Sequence, residues 1–235
     1  TNLLVAGGGG TATGTGSVAI GGGATADRGG VAYGRNAKGT GSNSAAYGIA
    51  TNASGYKAVA VGSDAQATAD NTTAVGESAN ASGWNATALG AHATASSVDA
   101  IALGRDSNAG NTSAIAIGQN SSVTGQYAAA LGVNTVVGSD YASAFGYNAQ
   151  ALSGNALALG ANATASQNGA IAQGAYATAS AQGGLAVGVR ANATANDTTA
   201  IGRQAMASGM NATAVGANAT ASGANASALG SLANA

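Results

Sequence analysis

Glycine returns every fourteen residues, at 34, 48, 62, 76, 90, 104, 118, 132, 146, 160, 174, 188, 202, 216 and 230, without a slip. Alanine stands two places before each of these glycines, from Ala32 to Ala228. Directly before the glycine come Tyr33, Tyr47, Val61, Val75, Leu89, Leu103, Ile117, Leu131, Phe145, Leu159, Gln173, Val187, Ile201, Val215 and Leu229. All but Gln173 are large and apolar. A phase held this strictly marks a repeat architecture, in which each copy is one structural element stacked on the next.

Fourteen residues are two heptads, so a coiled coil is the first geometry to test. Its chemistry is wrong. One to three glycines per repeat would sit in a helix interior, each costing roughly 1 kcal/mol against alanine, beside many β-branched residues. The local period is two instead. In NALALG, Ala156 and Ala158 alternate with Leu157 and Leu159; in ANATAS, Ala161, Ala163 and Ala165 alternate with Asn162 and Thr164. Such alternation is a strand signature. Each repeat therefore reads as two short strands with turns at Gly160 and around residues 166–169. One repeat is then one coil of an all-β solenoid, and the coils, stacked at roughly 4.8 Å, predict a rod on the order of 70 Å long. The repeat glycine is expected to hold a backbone angle closed to other residues.

Positions are counted here from the repeat glycine as zero. A two-strand coil is flat, so side chains facing each other across it must be small. That accounts for the alanine at −2 and for the alanines usual at +3 and +5, such as Ala163 and Ala165. The other face of the second strand carries Asn, Thr and Ser, which suit water. The other face of the first strand does not. It bears the bulky residue at −1 and often another at −3, as in Val31, Val59, Ile101, Ile115, Leu157, Ile171 and Leu185. Such a ladder exceeds the few hundred Å² of contiguous apolar surface that monomers tolerate. The simplest cover is the same stripe on identical chains around an axis. The residues at −1 are thus the expected interface of a homo-oligomer, the alternative being that the two faces are reversed.

Composition narrows the function. The chain has 235 residues, 39 Gly, no Pro, no Cys, and a net charge of −1. Low complexity often means disorder, but the regular Val, Ile and Leu positions argue for order. No basic stripe exists to neutralise phosphates, so nucleic acid is not an expected partner. No apolar run reaches the eighteen or so residues of a membrane span, and no signal peptide opens the chain. Without cysteine there is no disulfide framework or thiolate metal site. The twelve Asn-x-Ser/Thr matches, such as residues 85–87, read as by-products of an Asn-, Ser- and Thr-rich repeat.

SVAIG at residues 17–21, AIAIG at residues 114–118 and the fourteen-residue repeat resemble the head repeats of trimeric autotransporter adhesins, the YadA-like group. The resemblance covers nearly the whole chain. It implies a left-handed parallel β-roll assembled as a homotrimer, displayed on a bacterial surface fibre. It also implies a native protein that continues into a neck, a coiled-coil stalk and an outer-membrane β-barrel anchor, with no membrane contact by this segment. The implied activity is adhesion to host extracellular matrix proteins or cells, and bacterial self-association. Some members carry NSVAIG motifs tied to collagen binding. Here Gly16 stands where that motif has Asn, and most repeats read like ASALG at residues 226–230. The motif is read as the packing unit of the coil. A spacer holding another binding head away from the cell, and an ice-binding solenoid, are the alternatives; the latter wants aligned Thr-x-Thr ranks, which only residues 11–13 approach.

Catalysis finds no foothold. The single histidine, His92, occupies the +2 slot that carries Asn36, Asp64, Asp106, Asn120 and Asn162 elsewhere, and reads as a surface variant. Asp27, Asp64, Asp70, Glu77, Asp99, Asp106, Asp140 and Asp197 are scattered, whereas a calcium-binding β-roll needs a carboxylate in nearly every repeat. GGGG at residues 7–10 has neither the Lys-Ser/Thr nor the βαβ setting of a nucleotide loop. No cofactor, metal or catalytic residue is expected. Gln173 would lie near the oligomer axis, its amide held by its symmetry mates or by a trapped water or ion.

Residues 1–30 are expected to form irregular first coils, since Gly21 lies thirteen residues before Gly34 and Gly7 fits only a poorer copy. Residues 31–235 form the regular roll. Ala235 falls five residues into a further repeat, so the native chain is expected to continue.

Overall fold

The computed structural model describes residues 4–6 and 8–235, with side chains from residue 8 onward, in two compact units, Thr1–Asn120 and Ser121–Ala235. Each unit is a parallel β-solenoid of coils about fourteen residues long, with no helix among the described residues. Gly7, assigned above to a poorer copy, lies outside the described residues. In the first unit, three-residue strands from Leu4–Ala6 to Ile115–Ile117 form one sheet, and two-residue strands from Thr11–Ala12 to Asn108–Ala109 form a second. The second unit repeats the plan, with three-residue strands from Ala129–Leu131 to Ser227–Leu229 and two-residue strands from Ser122–Val123 to Thr220–Ala221. The pairing is parallel and in step with the repeat. Thr87 lies opposite Ile101 on one sheet and Thr94 opposite Asn108 on the other.

The interior is as thin as the alternation requires. In one coil Ala86, Ala88, Ala93 and Ala95 are all fully buried; Ala158, Ala163 and Ala165 are likewise in the second unit. Between these inward positions stand outward ones, so burial alternates along the strands from Thr11 onward, as for Thr87–Leu89 and Thr94–Ala95. The largest fully buried side chains are Val123 and Val137, which are partners in adjacent coils. The two largest interior side chains therefore sit together in successive coils.

Two turns close each coil, and they are alike. Ala93 N–H donates to the Gly90 carbonyl at 3.2 Å, and Ala100 N–H to the Ser97 carbonyl at 3.2 Å. The third residues of these turns, His92 and Asp99, have φ of 57° and 55°. A positive φ at that position is the mark of a type II turn, which favours Gly or Asn. The +2 and +9 positions are rich in Asn for this reason, as at Asn36, Asn71, Asn85, Asn148 and Asn211, all at positive φ. Each coil is thus two seven-residue halves with the same turn. Amides in register also bond from coil to coil, as Asn148 Nδ2 does to Asn162 Oδ1 at 2.9 Å.

Some inward positions hold Thr or Ser in place of Ala, and most of these hydroxyls turn back on the preceding turn, the Ser44 hydroxyl being without a partner among the described residues. Thr72 Oγ1 donates to the Ala69 carbonyl at 2.6 Å, Thr198 Oγ1 to Ala195 at 2.6 Å, and Ser107 Oγ to Gly104 at 2.8 Å. Each of these three buried hydroxyls is tolerated because it is bonded. Thr72→Val keeps the shape and removes the bond, so urea melting is expected to show a loss of about 1 kcal/mol.

The short coil is visible in the register. Val18 pairs with Val31 and Thr25 with Lys38, thirteen residues apart, whereas Leu4 pairs with Val18 and Thr11 with Thr25 at fourteen. The missing residue therefore falls between Thr25 and Val31. There the strand passes straight into a turn in which Gly30 N–H donates to the Asp27 carbonyl at 2.7 Å.

Candidate interaction surface

Alternation leaves each coil with two outward faces of different chemistry. On the two-residue strands the outward residues include Lys38, Asn52, Gln66, Asn80, Thr94 and Asn108 in the first unit, and Gln150, Thr164, Thr178 and Asn192 in the second. Val136 and Met206 interrupt that polar row.

The outward face of the three-residue strands carries an apolar column at −1. In the first unit the residues expected at the interface stack in one column: Tyr33 on Tyr47, Tyr47 on Val61, Val61 on Val75, and so through Leu89 and Leu103 to Ile117. In the second unit the column runs from Leu131 and Phe145 through Leu159, Gln173, Val187, Ile201 and Val215 to Leu229. Every one of these residues is exposed or half-exposed on the single chain; Tyr33 is 56% exposed and Leu159 40%. The neighbouring −3 row adds Val59, Ile101, Leu157, Ile171 and Leu185, each half-buried. It also holds Thr73, Thr87, Thr199 and Thr213, so this second row is mixed.

The turns carry a third group of residues that the period-two reading passed over. Tyr127 and Tyr141, at φ of 52° and 58°, are 56% and 62% exposed, and their rings stack at 5.6 Å with 9° between planes. Lys57 Nζ lies 4.9 Å from the Tyr56 ring centre, and the Arg190 guanidinium 5.7 Å from that of Tyr176. Their signal was legible, since Tyr127 and Tyr141, and Tyr176 and Arg190, stand fourteen apart. Stacking from coil to coil partly offsets the cost of a bulky residue at positive φ.

His92 is exposed in its turn, and its Nδ1 lies 3.2 Å from Asp106 Oδ1 in the next coil. Among the described residues no three His, Asp or Glu side chains gather into a metal-binding group. No helix of the described residues is long and apolar enough to cross a membrane.

A family profile described as YadA head domain repeat (2 copies) matches the chain in overlapping copies from residue 12 to residue 233, including 40–65, 95–121, 151–177 and 207–233. No curated protein matches the chain.

Proposed function

The chain belongs to the YadA head-domain family, and from that premise we propose that it is an adhesin head segment working as a homotrimer, with its −1 column on the common axis. The family is a structural adhesin fold and not an enzyme family, and its members are heads of trimeric autotransporter adhesins. The observation that carries the assembly is the contrast between outward faces: in each unit an apolar column, broken only at Gln173 of the second, against a largely polar row on the opposite sheet. A stripe repeating once per coil is matched in pitch by another stripe of the same repeat, so copies of this chain cover it along its length.

On this reading the polar sheet and the turns remain outside the trimer and meet the partner. That partner is a host matrix protein or cell-surface receptor, and many weak contacts along repeated coils on three chains raise avidity without a single deep site. The segment is held at the bacterial cell surface through an outer-membrane anchor elsewhere in the native protein.

Sedimentation is expected to give the mass of three chains. Leu103→Glu with Leu159→Glu, one in each unit, is expected to shift that mass to one chain while the far-ultraviolet spectrum remains β, because the inward alanines are untouched. Beads coated with the trimer are expected to bind at least one of a panel of matrix proteins or host cells. A trimer that binds none of them and does not self-associate is a spacer, and the adhesive reading falls.

A further inference from the structure

The repetition that builds the apolar column also makes it ambiguous. Moving the second unit of one chain by a whole coil again sets apolar side chains against apolar side chains and uncovers only the ends of that unit's column. A level alignment needs a residue that breaks the period, and Gln173 is that residue. Its ladder partners are Leu159 and Val187, and the −3 row beside it reads Leu157, Ile171 and Leu185 at the same three coils. The one polar residue of the column thus sits where the neighbouring row is wholly apolar. Gln173 is exposed on the single chain, and no group of its own chain bonds its carboxamide among the described residues.

We infer that Gln173 fixes the axial register of the assembly, an inference that rests on the trimer proposed above. When the chains are level, three carboxamides meet at one height, and each supplies both donors and an acceptor to its neighbours. When one chain is displaced by a coil, its carboxamide faces Leu159 or Val187 of the others and is buried without a partner. A single polar layer in an apolar seam selects one alignment at some expense in stability.

The chain has no cysteine, so introduced ones report every contact. Ile201 and Val215 lie in the same column one coil apart. Chains carrying Ile201→Cys and chains carrying Val215→Cys are co-expressed and oxidised, and the disulfides are identified by peptide mass spectrometry. Level chains join 201 to 201 and 215 to 215; a displaced chain joins 201 to 215. With Gln173 present the mixed pair is expected to be minor. Gln173→Leu in both chains is expected to raise its share roughly five-fold or more while the assembly keeps its mass. A second arm moves the polar layer. A Val215→Cys chain carrying Gln173→Leu and Val187→Gln, paired with an Ile201→Cys chain that retains Gln173, is expected to raise the mixed disulfide roughly five-fold or more, while chains of one kind still join 201 to 201 and 215 to 215. The reverse placement of the two cysteines is expected not to. A mixed share unchanged in both arms overturns the register role and leaves the trimer standing. A one-chain mass for the unsubstituted protein overturns the assembly and this inference with it.

Discussion

Gly104→Ala is expected to lower stability by about 3–5 kcal/mol. Two independent costs fall on that residue. Its φ is +131°, in a region open essentially to glycine alone. A Cβ built there would also stand 2.7 Å from both the carbonyl carbon and oxygen of Gly118, backbone atoms of the next coil. Backbone cannot rotate aside as a side chain can, so the stack must open locally. In a solenoid each coil is supported only by its neighbours, and the damage spreads to both.

Gly169 is the control. Its φ is +66°, in the left-handed region that Asn also adopts, and no atom lies within 4 Å of an added Cβ. Gly169→Ala is expected to cost about 1 kcal/mol, and Gly169→Asn less. Urea melting of both variants at fixed protein concentration separates the steric account from a general intolerance of substitution at glycine. Equal losses at the two positions would mean that conformational strain, and not the approach of successive coils, sets the fourteen-residue glycine.

Ala158→Leu is expected to destabilise the second unit by about 3 kcal/mol, at the upper end of ordinary overpacking. Ala158 is fully buried, and its ladder partners Ala144 and Ala172 are fully buried too. Ala163 and Ala165, on the second strand of its coil, are equally closed. Three additional carbons have nowhere to go unless the two sheets separate over several coils. Leu157→Ala, one residue away on the outward face, removes the same kind of side chain and is expected to leave the melting of the single chain almost unchanged. Hydrogen exchange along the second unit reads the difference, with protection around residues 157–159 lost in Ala158→Leu and retained in Leu157→Ala. Similar profiles for the two variants would sink the inward and outward assignment on which the interface proposal depends.

The alternation Ala156, Leu157, Ala158, Leu159 fixed two strands per repeat and put the methyl groups inside. The structure places all four where that pattern puts them. The −1 column was equally legible, because fourteen-residue spacing and parallel stacking leave no other way to align Leu89 with Leu103. The glycine angle followed from the strictness of its recurrence. The seven-residue half-coil was harder to see. Asn is common in many loops, and only the backbone reveals that Asn85 and His92 occupy the same kind of turn at φ of 59° and 57°. The hydroxyls of Thr72 and Thr198 are interior and bonded to their own turns, a placement that polarity does not announce. Side-chain polarity alone suggests solvent; a carbonyl three residues back supplies the partner that makes burial possible.

By itself, the sequence determined the coil: its length, its two strands, its methyl-lined interior and the greasy column it turns outward. These follow from local periodicity and side-chain volume, which need no knowledge of what lies across the chain. The tertiary structure decided where the thirteen-residue coil drops its residue, which turns share a backbone conformation, and that the tyrosines of neighbouring coils stack. Those facts depend on the hydrogen-bond register between strands, and register is settled by the coil above and the coil below.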